Sequence, residues 1–168
     1  MSGWWTEVGT TLAAEFSDIA DASELTIICT RLLMAALLGG LLGFEREHSG
    51  KAAGIRTHML VCMGAALFVL VPSQVAGGAG EMGRVIQGIA AGIGFIGAGT
   101  ILKGAGDESQ VKGLTTAAGL WLTAAIGVAV GTGLEATAVL STLLALLILG
   151  VVPWLATRLL KKKDESDR

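Results

Sequence analysis

Five apolar runs, each about 20 residues long and so about long enough to cross a bilayer, constrain this chain more than any other feature. They cover residues 25–44, 57–76, 84–102, 114–133 and 136–157. A helix needs roughly 20 residues to cross a ~30 Å hydrocarbon core. Lipid offers backbone N–H and C=O groups no partner, so each run is expected to be a helix that pairs its own. Period-two alternation is missing, which argues against strands. The expected fold is an all-α membrane protein with five transmembrane helices spanning residues 25–157 and a charged tail at 158–168. With 168 residues there is room for one such domain. Hydrophobic residues make up 52% of the chain and charged residues 15%, far from the balance of an average soluble domain.

The basic residues give an orientation. The segment after the first run carries Arg46, Lys51 and Arg56. The segment after the third carries Lys103 and Lys112. The tail carries Arg158, Lys161, Lys162, Lys163 and Arg168. Before residue 25 there is none, and the remaining connections hold only Arg84, at the edge of the third run. The positive-inside rule therefore places the N-terminus outside and the C-terminus in the cytoplasm.

Residues 1–24 lack the basic start and unbroken apolar core of a secretory signal. Trp5, Val8, Leu12, Phe16 and Ile19 recur at helical spacing, beside Trp4. The expectation is an amphipathic helix on the outer membrane surface, with a disordered leader as the alternative.

The stretch GIGFIGAG, residues 92–99, matches the G-x-G-x-x-G spacing of a dinucleotide loop. Such a loop needs a strand before it and an acid about 20 positions later. Here the glycines lie inside an apolar run, and residues 115–118 contain no acid. Close helix packing suits them better, because lipid provides little hydrophobic drive for association. Gly88 and Gly92, Gly39 and Gly43, and Gly127 and Gly131 are small-xxx-small pairs, with Gly94, Gly97 and Gly99 alongside. They would seat helices of this chain against one another or form a homodimer face. Alternatively, residues 92–99 form a broken segment lining a cavity.

Polar residues inside the runs are few. Arg31 lies within the first, where a charge is costly and marks a functional candidate. It would snorkel to the headgroups or pair with an acid such as Glu81. Arg84 and Gln87 share a face at the mouth of the third run, as vestibule or interface anchors. No Asp or Glu falls in the middle of a run. That disfavours a path for Mg²⁺, which usually takes one or two carboxylates. Metal ligands stay unassigned: His48 and His58 have no ligand spacing and read as solvated loop residues. Cys29 and Cys62 read as small packing residues, with no disulfide expected. The stretch from 45 to 58, with Glu45, Arg46 and Arg56, reads as a solvated turn or a docking surface for headgroups or a partner. Thr115 and Thr116 are candidate caps for the fourth helix. No catalytic constellation, cofactor site or nucleic-acid surface is expected.

The blocks RLLMAALLGGLLGFERE, AAGIRTHMLVCMGAALF, RVIQGIAAGIGFIGAGTILK and VKGLTTAAGLWLTAAIGVAVGTG resemble, in unbroken order, those of the MgtC/SapB membrane-protein family. The matching positions are Gly39, Gly43, Glu45, Arg46, Gly54, Arg56, Thr57, Arg84, Gly92, Gly94, Gly97, Gly99, Gly113, Leu114, Thr116 and Trp121. The resemblance implies a bacterial inner-membrane protein linked to growth at low magnesium and, in pathogens, to survival inside host cells. Some members are described as magnesium transport proteins. Others are held to bind and restrain a membrane complex, the ATP synthase being the best known candidate. Two departures stand out. The Asp that commonly precedes the third-run Arg is missing, with Glu81 the nearest acid. The soluble C-terminal domain of longer members is not expected here, which puts any function resting on it in doubt.

Three functional readings follow. The first is a non-enzymatic regulator that binds a membrane partner through its glycine-lined helices and charged cytoplasmic loops. The second is a transporter for Mg²⁺ or another small ion, lined by Arg84, Gln87 and residues 92–99. The third is a lipid-binding protein that uses Arg31 and Arg84 on headgroup phosphates.

Overall fold

The structure is a computed structural model that describes residues 2–15, 21–74, 78–103 and 111–166. The elements are α1 (Ser2–Glu15), α2 (Ala22–His48), α3 (Ile55–Gln74), a short 3-10 turn (Gly78–Glu81), α4 (Met82–Lys103), α5 (Leu114–Gly131) and α6 (Glu135–Ser166). There is no strand among the described residues. Helices α2 to α6 are each long and apolar enough to cross a membrane. The expected all-α architecture with five spanning helices is therefore present. Two compact units are distinguished, Met1–Thr30 and Arg31–Arg168.

The first unit holds α1 and the start of α2. Trp4 and Trp5 pack edge to face in α1, their ring centroids 4.5 Å apart, and both are exposed. Phe16 and Ile19, counted above in the amphipathic stripe, lie outside the described residues. Asp21 starts α2: its Oδ1 accepts a hydrogen bond from the Glu24 N–H at 2.8 Å, occupying one of the free donors of the first turn.

In the second unit, local chemistry sets where helices stop. Helix α2 ends in a left-handed glycine, Gly50 (φ 66°), with the Lys51 N–H donating back to the Arg46 carbonyl at 2.9 Å. Gly133 (φ 83°) ends α5 in the same way: the Leu134 N–H donates to the Ala129 carbonyl at 2.8 Å. Both are glycine C-caps that satisfy carbonyls the helix leaves open.

Helix α5 is central. It packs against α3, α4 and α6 and is the most buried of the five spanning helices, while α4 is the least. The main core joins Ala35, Leu38 and Leu42 of α2 to Cys62 and Ala66 of α3, Ile126 and Val130 of α5, and Ala138 and Ala145 of α6. A second cluster joins Ala65, Ile93, Leu120 and Ala124 of α3, α4 and α5, with Ala53 folded in from the α2–α3 connection. Thr123 and Thr142 enter these cores with their hydroxyls turned back onto the carbonyls of Gly119 and Ala138, each at 2.8 Å. No hydroxyl is thereby left bare against apolar neighbours.

The helices alternate in direction. Gly39 faces His58 while Gly43 faces Ile55, so α2 and α3 are antiparallel. Gly119, Gly127 and Gly131 meet His58, Cys62 and Ala66 in the same order, so α3 and α5 run parallel. One end of the bundle therefore gathers the ends of α2 and α4, the starts of α3 and α5, and the end of α6. In the sequence, ten of the 12 Lys and Arg residues fall at or beside these helix ends.

Candidate functional site

The glycines divide into two sets. At the first set another helix already occupies the space of a side chain. A Cβ on Gly39 would come within 2.6 Å of the His58 carbonyl oxygen, and one on Gly43 within 2.5 Å of the Ile55 Cα. On α5, Gly127 and Gly131 lie equally tightly against the carbonyls of Cys62 and Ala66. Gly97 is looser, with its Cβ position 3.3 Å from the Ala117 Cβ. Backbone contact of this kind is what small residues allow in lipid.

The second set is open. Gly64, Gly88, Gly92, Gly94 and Gly99 have nothing within 4 Å of a built Cβ. Three of them, Gly64, Gly88 and Gly92, line one crevice of about 720 Å³ between α3 and α4. Its walls also include Phe68, Val85 and Ile96, with Ala124 of α5 among its lining residues. No lining residue carries a side-chain oxygen or nitrogen. Helix α4 runs unbroken through residues 92–99, so the broken cavity-lining segment considered above is not formed. The unbroken helix also removes the strand–turn–helix context that a dinucleotide loop requires.

Arg84 and Gln87 are exposed and lie outside the crevice lining. Arg84 Nη1 pairs with Glu81 Oε2 at 3.1 Å, one helical turn away. Glu81 thus serves Arg84, whereas Arg31 takes another acid. Arg31 Nη1 donates to the Gly131 carbonyl at 2.9 Å, and its Nε lies 3.8 Å from Glu135 Oε1.

The stretch from 45 to 58 is held internally, more than a solvated turn would be. Arg46 is 3% exposed and pairs with the Glu45 carboxylate, which also accepts from Ser49 Oγ at 2.9 Å. Glu47 Oε2 accepts from the Ile55 N–H at 3.0 Å and so caps α3. Lys51 and Arg56 remain exposed. His58 is not a solvated loop residue. It lies within α3, 1% exposed, with Nδ1 3.0 Å from the Gly54 carbonyl. A carbonyl only accepts, so Nδ1 carries the proton, and Nε2 has no hydrogen-bond partner among the described residues. The signal lay in the spacing: His58, Cys62, Ala65 and Val69 form one buried helical stripe.

Thr115 and Thr116 do not cap α5. The cap position is Gly113, in the left-handed region at φ 95°, with no side-chain hydrogen bond there. Thr116 is buried inside the first turn. A Cβ at Gly113 would lie 2.7 Å from the Thr100 carbonyl, so this glycine brings the start of α5 against α4. Cys29 and Cys62 are free thiols. Among the described residues, no three His, Cys, Asp or Glu side chains gather as a metal site would require.

The MgtC family profile matches residues 32–158. The chain belongs to the MgtC family. It is 45% identical over 129 residues to protein SrpB of Synechococcus elongatus, covering 71% of each chain. It is 39% identical over 139 residues to the Escherichia coli protein named putative magnesium transporter YhiD, covering 79% of this chain and 63% of the relative. Against protein MgtC of Brucella abortus the identity is 49% over 108 residues, 64% of this chain and 44% of the relative. The match thus spans less than half of that MgtC protein. No solved structure matches. Gly88, Gly92, Gly94 and Gly99 of α4 and the crevice lie within the residues the family profile matches.

Proposed function

We propose that this MgtC-family membrane protein is a non-enzymatic regulator that seats a transmembrane helix of a partner in the α3–α4 crevice. The observation that carries the reading is the contrast between the two glycine sets. Where Gly39, Gly43, Gly127 and Gly131 face inward, a backbone lies against each. Gly64, Gly88 and Gly92 offer the same close approach along one crevice, and nothing among the described residues takes it. A glycine in a helix interior costs about 1 kcal/mol relative to alanine, and it returns that cost only where something must come close. The reading places the protein in a bacterial inner membrane, N-terminus outside, because ten of its 12 Lys and Arg residues fall at or beside the ends of α2, α4 and α6 or the starts of α3 and α5. Its role is adaptation to low magnesium, in line with the names its relatives carry.

The test is growth in magnesium-limited medium of cells whose own copy is replaced by variants. Gly92→Leu fills the crevice and abolishes the growth advantage, while the protein accumulates normally. Gly94→Leu, open but outside the crevice, retains it. A Gly92→Leu protein that accumulates and still supports growth would rule out the crevice as the seat of function.

Transport is the competing reading, suggested by the name of the Escherichia coli relative. Mg²⁺ takes oxygen ligands, and the crevice lining supplies no side-chain oxygen. Liposomes containing the purified protein and an enclosed magnesium-sensitive dye are expected to show no protein-dependent uptake. Uptake lost on Gln87→Leu would replace the regulator with a transporter.

A further inference from the structure

Arg31 and Arg84, the two arginines first considered for lipid phosphates, are both engaged by carboxylates. One exposed basic residue, Arg158, lies at the other end of the bundle, on α6. That helix has 32 residues, about 48 Å at 1.5 Å per residue. The hydrocarbon core takes roughly 30 Å of it. Its apolar spanning stretch ends at Leu155, so the last turns extend through the headgroup layer. Trp154 stands at that boundary, half exposed, where indole rings prefer to sit. The Arg158 guanidinium lies over its ring, 4.2 Å from the centroid. Among the described residues no carboxylate pairs with Arg158. Lys161, Lys162 and Lys163 follow in the sequence.

We propose that Trp154 and Arg158 form a binding site for the headgroup phosphate of an anionic phospholipid. The indole fixes the depth and holds the guanidinium plane over its face. Arg158 then presents its remaining N–H donors at phosphate level, in the fork that matches phosphate oxygens. Lys161 and Lys162, three and four positions later in the sequence, add positive charge near that end of the helix. The chemistry is phosphate recognition, and the position at the end of a membrane-spanning stretch selects a lipid over a soluble anion. The site stands whether or not the crevice takes a partner.

The test uses the full chain with Trp4, Trp5 and Trp121 changed to Phe, which leaves Trp154 as the only indole. It is reconstituted in bilayers containing phosphatidylglycerol or phosphatidylcholine brominated high on the acyl chains. Quenching at equal mole fraction then reports the lipids beside Trp154. Brominated phosphatidylglycerol is expected to be enriched about fivefold, the effect of roughly one well-placed basic residue. Combined Arg158→Gln, Lys161→Gln and Lys162→Gln substitutions should bring the two lipids to parity. Lys161→Arg with Lys162→Arg, which keeps the charge, should keep the preference. Equal quenching by both lipids in the parent protein would overturn the proposal, as would a preference that survives the three glutamines. A preference abolished by inorganic phosphate, but not by chloride at the same ionic strength, would assign the site to a soluble anion and also overturn it.

Discussion

Arg31 reaches across from α2 to the last carbonyl of α5: its Nη1 donates to the Gly131 oxygen at 2.9 Å. The same guanidinium lies 3.8 Å from the Glu135 carboxylate at the start of α6. One side chain thus ties together α2, the C-terminal end of α5, where the helix dipole is negative, and the turn into α6. Gly133 leaves it room, since a Cβ there would sit 2.5 Å from Arg31 Nη2. A charge within the first apolar run is accounted for by this clamp.

Removing the clamp should cost more than removing its acid. A hydrogen bond to a charged group contributes about 1.5–3 kcal/mol, less when partly exposed as Arg31 is. Arg31→Gln is expected to destabilise the protein by about 1–2 kcal/mol, and Glu135→Gln by about 0.5 kcal/mol or less. Thermal unfolding in detergent, followed by circular dichroism, checks the order. Equal losses would mean that the ion pair, not the carbonyl bond, holds the turn.

Gly113 and Gly50 separate strain from crowding. Both adopt positive φ, 95° and 66°, but only Gly113 has the Thr100 carbonyl against it. Gly50→Ala should cost about 1 kcal/mol, for the left-handed backbone alone. Gly113→Ala adds a clash between α4 and α5 and should cost about 3 kcal/mol or more. Unfolding midpoints of the two variants give the comparison. A Gly113→Ala protein as stable as Gly50→Ala would show that α4 yields easily.

His58 gives a prediction of the opposite sign. Its Nε2 is buried without a hydrogen-bond partner, which costs about 1–3 kcal/mol, while the local Nδ1 bond to Gly54 returns about 1 kcal/mol. His58→Phe keeps the ring and removes both. It should be within about 1 kcal/mol of the parent protein, or more stable. His58→Ala, which also leaves a cavity, should lose about 2–4 kcal/mol. A large loss in the Phe variant would mean that Nε2 is needed for something the protein does.

Run length and loop charge made the five spanning helices legible in the sequence, because lipid leaves the backbone no other form. Boundaries were harder to read. Apolar periodicity did not reveal that α2 continues to His48, since Glu45 and Arg46 read as loop until their mutual pairing and burial are known. The tilt of Gly113 into positive φ was equally hidden, since neighbouring threonines are better caps by composition. Glycine spacing was visible, but which glycines meet a helix depends on which faces point inward. Gly39 and Gly88 carry the same local pattern and have opposite surroundings.

That difference leads to the last prediction. Adding one methyl group at Gly127 forces it against the Cys62 carbonyl and to within 2.9 Å of the Ala65 Cβ. In a packed core such crowding costs about 1–3 kcal/mol. At Gly92 the same methyl meets nothing within 4 Å, and a helix gains about 1 kcal/mol when glycine becomes alanine. Gly127→Ala should therefore lower the unfolding midpoint while Gly92→Ala raises it or leaves it unchanged. The growth assay should reverse the sensitivity at Gly92, where a larger residue spares the fold and blocks the crevice. If Gly92→Ala destabilises the isolated protein as much as Gly127→Ala does, the α3–α4 crevice is closed in the membrane, and the seat for a partner helix must lie elsewhere.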